Sequence, residues 1–456
     1  MKNQDMIGGE EMKKIYSTLC MMVLGIVLLC GMGGQAKAAT AVDTNGALEV
    51  SGGKLVSKKT GKEVQLRGIS THGINWDVGY PYISKAAFKT LRDSYGVNAV
   101  RLAMYTTEYY GYCDKGGAGD SKSEVQKTLK SRIGTGVQAA SDLGMYVIID
   151  WHVLNDQNPN KYKKDAKKFF EEMSEKYAKY DNVIYEICNE PNGGTTWSDI
   201  KKYANEIIPV IRDNDKDAVI VVGTPNWSQD VDVASKSPLS YDNIMYALHF
   251  YSATHKSSYR DKLQTALDNG LPVMVTEYGV SEASGNGSVN TSEAEKWLKM
   301  LDKNDISYFA WSLSNKDESA SLLKKSTKKK SGWKTSDLSK AGKWVLQRYQ
   351  KRAGIKSAIT KPAKVSGLSV KNQKGKQLKV SYKKVSGATG YEIQYSTSNS
   401  FTASKTKTIK TKKTSYTIKK LKKGKNYYVR VRAYKTKDGN TAKGSYSSKK
   451  KIKIKK

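Results

Sequence analysis

The 456-residue chain contains only four cysteines, Cys20, Cys30, Cys113 and Cys188. Two of them lie near the N-terminus, so no disulfide framework can hold the remaining chain together, and a hydrophobic core must do so instead. A chain of this length is expected to form a barrel-sized domain and a smaller module. The sequence leaves open whether Cys113 and Cys188 pair.

The N-terminal segment lacks an apolar run of the ~20 residues that a membrane-spanning helix needs. Lys13 and Lys14 precede a shorter apolar run over Leu19–Leu29, and an Ala-Lys-Ala tripeptide ends at Ala38. This order is typical of a secretory signal peptide over residues 1–38. We therefore expect a secreted, extracellular protein with no stable membrane span after signal removal; a retained N-terminal anchor is the alternative.

Acidic residues are almost absent from the end of the chain. From residue 361 onward there are 27 Lys and 2 Arg against only Glu392 and Asp438, a net charge of +27, whereas the whole chain carries +35. The basicity therefore belongs to the last fifth of the sequence. In a secreted protein it favours anionic cell-wall polymers over nucleic acid as partners, with a merely solvated charged surface as the alternative.

Apolar, β-branched runs alternate with amphipathic helical stretches over residues 41–352. Several runs are nearly continuous in apolar residues, which is typical of strands covered on both faces. Eight such strands predict an α/β fold, a (β/α)₈ TIM barrel, with a doubly wound open sheet as the alternative. A hairpin turning at Gly52 and Gly53 is expected to plug the barrel floor. The predicted strands are Val64–Ile69, Ala99–Tyr105, Met145–Trp151, Val183–Cys188, Val219–Thr224, Ile244–Tyr251, Val273–Tyr278 and Tyr308–Leu313, and the helix candidates are Ser84–Ser94, Lys163–Tyr180, Trp197–Asp213, Tyr259–Asn269, Ser292–Lys303 and Trp344–Arg352.

The pattern changes after a predicted linker over residues 353–364. Period-2 alternation at Leu378–Tyr382, Tyr391–Tyr395 and Tyr427–Tyr434 predicts a small all-β, immunoglobulin-like sandwich over residues 365–456. This tail resembles a fibronectin type III domain, with Tyr382 at the usual core Trp position. The resemblance rests on Val-Ser-Gly-Leu at 365–368 and on the stretches 387–395 and 421–433.

Polar side chains follow the ends of the predicted barrel strands, where active sites of such barrels gather. Glu190 and Glu277 are carboxylates at two of these ends, with aromatic residues around them. Two carboxylates among aromatics suit glycoside hydrolysis, because one acid can protonate the leaving oxygen while the other carboxylate attacks the anomeric carbon.

Three of the four histidines, His72, His152 and His249, also fall at strand ends. A zinc site built from them is the alternative, but no His-x-His or His-Glu-x-x-His spacing occurs. We therefore expect neither a metal nor another cofactor.

Residues 60–350 resemble glycoside hydrolase family 5, in its bacterial endoglucanase branch. The resemblance is carried by the strings Val100–Tyr105, Ile148–His152, Ile184–Pro191 (ending Asn-Glu-Pro), Ala247–Tyr251, Val275–Gly279 (Val-Thr-Glu-Tyr-Gly) and Trp311–Ser319. It implies a secreted endo-β-1,4-glucanase that hydrolyses internal bonds of cellulose and related β-glucans by retaining double displacement.

The resemblance also implies roles for individual residues. Glu190 would be the acid/base and Glu277 the nucleophile. The remaining members of the catalytic group would be Arg101 beside Glu277, Asn189 on the sugar 2-hydroxyl, His249 near Glu190, and Tyr251 hydrogen-bonded to Glu277. The substrate-binding residues would be His72, Trp76, Tyr105, His152, Trp227, Trp311, Lys316 and Glu318.

Several alternatives remain open at this point. A β-mannanase, licheninase or xyloglucanase would share the same catalytic pair. Lys316 and Glu318 could simply pair with each other on a loop, and Trp76 and Trp227 could be packing aromatics. A function of another class is a cell-wall-attached carbohydrate-binding protein on a decayed enzyme scaffold. Loss of either carboxylate would mark such a protein, and both Glu190 and Glu277 are present.

Overall fold

Eight parallel strands close into a barrel in the computed structural model, which describes residues 39–355, 359–437 and 440–455. The predicted signal peptide lies outside these residues. Each strand pairs with its neighbours in chain order, and β10 closes the ring against β3. The α/β barrel prediction is confirmed, and the open sheet is excluded. The barrel strands are β3 (Arg67–Thr71), β4 (Ala99–Tyr105), β5 (Tyr146–His152), β6 (Val183–Glu186), β7 (Ile220–Val222), β8 (Ile244–Tyr251), β9 (Val273–Gly279) and β10 (Tyr308–Leu313).

The first barrel strand begins later than the apolar pattern predicts. Val64 and Leu66 are buried, but they belong to the layer below the barrel, and the Val64 amide donates to Leu55 O. Burial there resembles burial in a strand, so apolar residues alone could not place the boundary at Arg67.

Helices cover the outside of the barrel, and their apolar faces pack on the strands. The longest one, α3, was not predicted, because its sequence includes Gly134 and Gly136 and many polar residues. A Cβ on Gly136 would lie 2.7 Å from the Leu102 side chain, so glycine lets α3 approach β4 closely. The helices are α1 (Ala41–Asn45), α2 (Lys85–Tyr95), α3 (Lys122–Ser141), α4 (Lys163–Tyr177), α5 (Trp197–Asn214), α6 (Pro225–Ser228), α7 (Val231–Ser235), α8 (Ser257–Asp268), α9 (Thr291–Lys303) and α10 (Lys340–Arg352).

A hairpin of β1 (Leu48–Ser51) and β2 (Lys54–Ser57) closes the amino-terminal end of the barrel, as expected. Leu48 and Leu55 are buried in one cluster with side chains from the starts of the barrel strands, among them Ala99 and Tyr146. This plug leaves the carboxyl ends of the strands as the open face.

The tail forms two antiparallel sheets around its own core, as predicted. Tyr382 is buried there, 4.9 Å from the Tyr391 ring, and its hydroxyl donates to Lys413 O. One sheet has the order β11-β12-β15, and the other has β14-β13-β16 with β17 and β18 both pairing with β16. The strands are β11 (Ser369–Gln373), β12 (Gln377–Ser381), β13 (Gly390–Ser396), β14 (Thr406–Thr411), β15 (Ser415–Ile418), β16 (Asn426–Lys437), β17 (Asn440–Lys443) and β18 (Lys450–Lys453).

Cys113 and Cys188 are both buried and unpaired, so they form no disulfide. Within the described part of the chain, no helix is long and apolar enough to cross a membrane.

Candidate active site

A cleft of about 670 Å³ opens at the carboxyl end of the barrel. Of the fourteen residues that the sequence analysis assigned to the site, eleven line the cleft: His72, Tyr105, His152, Glu190, Trp227, His249, Tyr251, Glu277, Trp311, Lys316 and Glu318. They come from strand ends and following loops across the whole barrel. Residues distant in sequence meet here because parallel strands all end at the same face.

Glu190 and Glu277 face each other across the floor of this cleft. One carboxylate oxygen of Glu190, one of Glu277 and a ring nitrogen of His249 all lie within 4.8 Å of one another. The Glu190 side chain is 13% exposed, whereas that of Glu277 is 6% exposed. Glu190 is therefore the more accessible of the two acids.

Glu277 is held by two donors from different strands. Tyr251 Oη donates to Glu277 Oε1 at 2.6 Å, and Arg101 Nη1 donates to Oε2 at 3.1 Å. Burial and the Glu277 charge hold the pKa of Tyr251 well above its ordinary value, so the phenol keeps the proton that it donates. Both contacts fix the orientation of the Glu277 side chain.

Arg101 lies beneath the cleft and does not line it. Its fully buried guanidinium donates to Glu186 Oε2 at 2.6 Å and to Asn189 Oδ1 at 2.7 Å, and it lies 3.0 Å from Asp150 Oδ2. Burial alone would lower the pKa of Arg101, but the carboxylates of Asp150, Glu186 and Glu277 raise it. Arg101 thus compensates three buried acids and stays charged.

Asp150 and Glu186 are the main omission of the sequence analysis, which counted only two carboxylates at strand ends. Both are fully buried on β5 and β6. Burial would raise the pKa of Glu186, but the charge of Arg101 and hydrogen bonds lower it to about 2. Charged residues inside nearly apolar strands were the available signal, because such residues need a buried partner.

His249 connects Glu190 to the buried network. Its Nε2 donates to Thr276 Oγ1 at 2.9 Å, and Thr276 Oγ1 donates to Glu186 Oε1 at 2.6 Å. Since Nε2 must carry a hydrogen for this arrangement, the contact of 2.9 Å between Nδ1 and Glu190 Oε1 holds one further proton. Burial would lower the pKa of His249, but Glu186 and Glu190 raise it to about 9. The hydrogen-bond geometry therefore places one proton between His249 Nδ1 and Glu190 Oε1.

Asn189 is fully buried and also lies below the cleft surface. Its Nδ2 donates to Val153 O at 3.0 Å and to His152 Nε2 at 3.2 Å, so His152 carries its hydrogen on Nδ1, facing Asp150. Burial and the nearby Arg101 charge lower the pKa of His152 to about 3. His152 is therefore neutral, and Asn189 must exchange one of these contacts if it is to reach a sugar hydroxyl.

One side of the cleft combines aromatic rings with an ion pair. The His152 ring stacks on Trp311 with their centroids 5.6 Å apart, and His72 lies 5.1 Å from the same indole. Lys316 Nζ lies 2.7 Å from Glu318 Oε2, whereas Glu318 Oε1 is buried without a hydrogen-bond partner, 3.7 Å from His72 Nε2. Burial raises the pKa of Glu318 against the pull of Lys316. This unpartnered oxygen is positioned to accept a hydrogen bond from a ligand hydroxyl.

Trp76 does not line the cleft. Its ring lies 4.5 Å from that of Tyr105, and its Nε1 donates to Tyr109 O. Trp76 therefore packs against the Tyr105 ring, in a position similar to the one that the packing alternative describes.

Trp227 stands on an unusual left-handed turn. The φ values are 57° at Asn226, 55° at Trp227 and 54° at Ser228. Residues with a Cβ rarely adopt this left-handed backbone conformation. The Trp227 amide donates to Pro191 O, and Ser228 Oγ donates to Asn189 O at 2.6 Å. The turn therefore holds the indole, 43% exposed, against the chain segment that carries Glu190.

Further residues of this side of the cleft carry no recognisable signal in the sequence. Gln229, His255 and Tyr259 line the cleft together with the loop 283–285. The buried His255 accepts a hydrogen bond from the Tyr251 amide, and burial followed by the Lys262 charge lowers its pKa to about 4. Gln229 follows the left-handed turn, His255 lies in a loop and Tyr259 lies in α8, so none of them stands at a strand end.

A buried acid pair within a sugar-sized, aromatic-lined cleft at the carboxyl end of a barrel defines a glycoside hydrolase. Comparison with known proteins agrees. The family model for cellulase (glycosyl hydrolase family 5) matches residues 57–317, and that for a fibronectin type III domain matches residues 363–448. The chain belongs to glycosyl hydrolase family 5.

Relatives of the same family carry endoglucanase names. Endoglucanase A of Butyrivibrio fibrisolvens is 50% identical over 303 residues, covering 66% of this chain and 68% of that protein. An endoglucanase of Clostridium saccharobutylicum is 46% identical over 334 residues, covering 73% and 71%. Among solved structures, the catalytic domain of Thermobifida fusca endoglucanase Cel5A in complex with cellotetraose aligns with a TM-score of 0.62 and 33% identity, covering 68% of this chain and 99% of that one.

Proposed function

We propose that this enzyme is a secreted endo-β-1,4-glucanase that cuts internal bonds of cellulose and related β-glucans with retention of configuration. The carrying observation is the approach of Glu190 and Glu277 oxygens to within 4.8 Å. Retaining glycosidases hold their carboxyl groups about 5 Å apart, whereas inverting ones leave ~6.5–9.5 Å for a water molecule.

In the first step, Glu277 attacks the anomeric carbon and forms a glycosyl ester, while Glu190 passes its proton to the leaving oxygen. Arg101 and Tyr251 hold the Glu277 side chain in its orientation. In the second step, Glu190 removes a proton from the attacking water, and the ester breaks. His249 holds the proton that Glu190 exchanges, and the Glu186 and Thr276 pair fixes the histidine tautomer.

The substrate assignment rests on the cleft walls and on the relatives. Trp311 and Trp227 both line the cleft, and indole faces suit the apolar faces of pyranose rings. Glu318, Lys316 and the two neutral histidines, His72 and His152, offer hydrogen-bonding groups for equatorial hydroxyls. The cellotetraose complex of the Thermobifida fusca relative supports a β-1,4-glucan. Activity on mannan, on mixed-linkage glucan or on xyloglucan is not favoured.

The test of the mechanism compares two isosteric variants on two substrates. Glu190→Gln should lose activity on cellulose chains yet retain most of its glycosylation rate on an aryl cellobioside whose phenolate leaves without protonation. Glu277→Gln should lose both activities, because it lacks the nucleophile. Proton NMR should show the β-anomer of the new reducing end first; initial appearance of the α-anomer would exclude retention. A product panel on cellulose, β-glucans, mannan and xylan tests the substrate class.

We also propose that the basic tail keeps the secreted enzyme at an anionic cell surface. The support is its net charge of +27 from residue 361 onward. Partitioning of full-length and truncated protein between cells and medium should depend on salt only when the tail is present.

A further inference from the structure

Nine of the 27 lysines that follow residue 360 lie where three segments meet at one end of the sandwich. The chain enters the domain at residue 365, and β11 runs away from that entry to the turn at 374–376. The loop 419–425 and the C-terminal residues 453–455 meet this turn. We name this end, made of residues 374–376, 419–425 and 453–455, the distal pole.

Hydrogen bonds to backbone carbonyls tie the three segments into one surface. The Leu421 amide donates to Lys376 O at 3.0 Å, the Gly424 amide donates to Ile454 O at 2.9 Å, and Asn372 Nδ2 donates to Lys453 O at 2.8 Å. The distal pole is thus a fixed platform and not three independent loops.

Nine lysines are exposed on this platform. Two lie in the turn, five in the loop, which reads Lys-Lys-Leu-Lys-Lys-Gly-Lys, and two in the C-terminal segment. Glu392 is the one acidic residue among the described residues of the domain, and it is occupied elsewhere by Arg432 and Lys443. No acidic side chain of that described part therefore offsets the charge of the distal pole.

Two of these lysines occupy positions that suit glycine. Lys376 and Lys420 both have φ of 59°, next to a turn and a loop that already use glycine at Gly375 and Gly424. A left-handed backbone is disfavoured for residues with a Cβ, and such outliers often occur at functional sites. The two lysines add charge at positions where glycine would relieve the backbone.

The chemistry of the distal pole selects among polyanions. Its three segments contain no aromatic residue, so it offers no surface for stacking nucleic-acid bases. The two arginines of the domain are engaged away from it: Arg430 with Gln394 and Arg432 with Glu392. What remains is a cluster of ammonium groups, and lysine is a common phosphate-binding residue that acts as a point charge.

We propose that the distal pole is a binding site for a linear phosphodiester polymer of a cell envelope, an inference that rests on the proposed surface retention and gives it a location. The repeating phosphates bridge the lysines of the three segments. Binding releases counterions, so affinity falls steeply with salt.

The test uses the full chain and immobilised poly(glycerol phosphate). A distal variant carries Lys419→Gln, Lys420→Gln, Lys422→Gln and Lys423→Gln. The matched control removes the same charge from the opposite pole through Lys383→Gln, Lys384→Gln, Lys412→Gln and Lys413→Gln, which are also exposed. The distal variant should bind at least about tenfold more weakly near 0.1 M NaCl, with a salt slope shallower by about three, and the control should change less than about threefold. Both should hydrolyse soluble cellulose normally.

The outcomes separate the two proposals. If the unaltered chain does not bind the polymer, both surface retention by phosphate and the site fail. If it binds and both variants weaken equally, retention by diffuse charge survives and the distal pole is overturned. Stronger binding to polyglutamate or to single-stranded DNA than to the phosphodiester would also overturn the site as assigned.

A second variant tests the conflict between backbone and charge. Lys376→Gly with Lys420→Gly should raise the melting temperature of the domain while it weakens polymer binding. Binding unchanged in this more stable protein would show that the two lysines serve no partner.

Discussion

At the carboxyl end of the barrel, one fully buried arginine contacts three carboxylates, whereas the C-terminal sandwich exposes lysines that outnumber its acids by more than tenfold. Buried charges must be paired, so each one fixes the position and protonation of the next. Exposed charges are screened individually and act as a sum. The barrel network therefore determines the chemistry, whereas the summed exposed charge of the sandwich is the basis of the proposed surface retention.

The most severe test of the barrel network is Arg101→Lys. Lysine keeps the charge but supplies fewer donors to Glu186, Asn189 and Glu277, so we expect the free energy of unfolding to fall by about 3–5 kcal/mol. The value of kcat/KM should fall by about 10²–10³, as for loss of a preorganised electrostatic group. Urea unfolding and steady-state kinetics measure the two effects.

Arg92→Lys is the control, at a partly exposed arginine that pairs with Asp93, and its expected cost is within about 1 kcal/mol. Adding Glu186→Gln to the Arg101→Lys variant should lower the free energy of unfolding by less than Glu186→Gln does alone, because the two groups act as a unit. Additive effects would contradict the description of a single network.

Next in size is Thr276→Val, which preserves volume but removes the hydroxyl between His249 and Glu186. The pKa of His249, raised to about 9, should fall, so the basic limb of the pH profile of kcat/KM should move to lower pH. We expect kcat to drop by about tenfold, and Thr276→Ser to restore it. A basic limb that stays in place would show that His249 does not hold the transferred proton.

The same histidine gives a stability signature. Because its pKa is raised above 6.5 in the folded state, its contribution is complete below pH 6.5 and is lost as pH rises through about 9. His72 has the opposite sign: its pKa is lowered to about 3 by burial and by Lys316, so stability is lost as pH falls below 6.5. Thermal melts across pH should show a flatter alkaline side of the stability curve for His249→Gln. They should show a flatter acid side for His72→Gln.

A smaller effect is expected from Ser228→Ala at the left-handed turn. Loss of the Ser228 hydroxyl leaves Asn189 O without its donor, which should lower the free energy of unfolding by about 1–2 kcal/mol. It should also displace Trp227 and Glu190 together. KM for cellulose chains should rise while the melting temperature falls slightly. Ser235→Ala, in α7, removes a similar hydroxyl bond to Asp232 O and should leave KM unchanged.

The smallest effects belong to the sandwich. Single changes such as Lys423→Gln or Lys413→Gln should alter the free energy of unfolding by less than about 0.5 kcal/mol and should add when combined. Non-additive changes in the free energy of unfolding would show that the exposed lysines are coupled to one another, as the buried charges of the barrel are.

The sequence by itself determined the barrel, the sandwich and the acid pair. Apolar runs of strand length give β4, β8 and β10 their predicted bounds, since the interior of a barrel tolerates little else. The start of the first barrel strand was predicted too early, at Val64, because residues buried below the barrel have the same apolar pattern as a strand. The helix over Lys122–Ser141 was not predicted, because the glycines that allow its close packing also weaken the helical pattern.

Only the tertiary structure decided how the buried charges are shared. Asp150, Glu186 and Thr276 are unremarkable residues within strands until the ring closes and places them around Arg101 and His249. The left-handed turn under Trp227, the wall containing His255 and the convergence of lysines at the distal pole arise in the same way. Each depends on contacts between distant segments, and a one-dimensional pattern holds residue types and spacing but not the directions in which side chains meet.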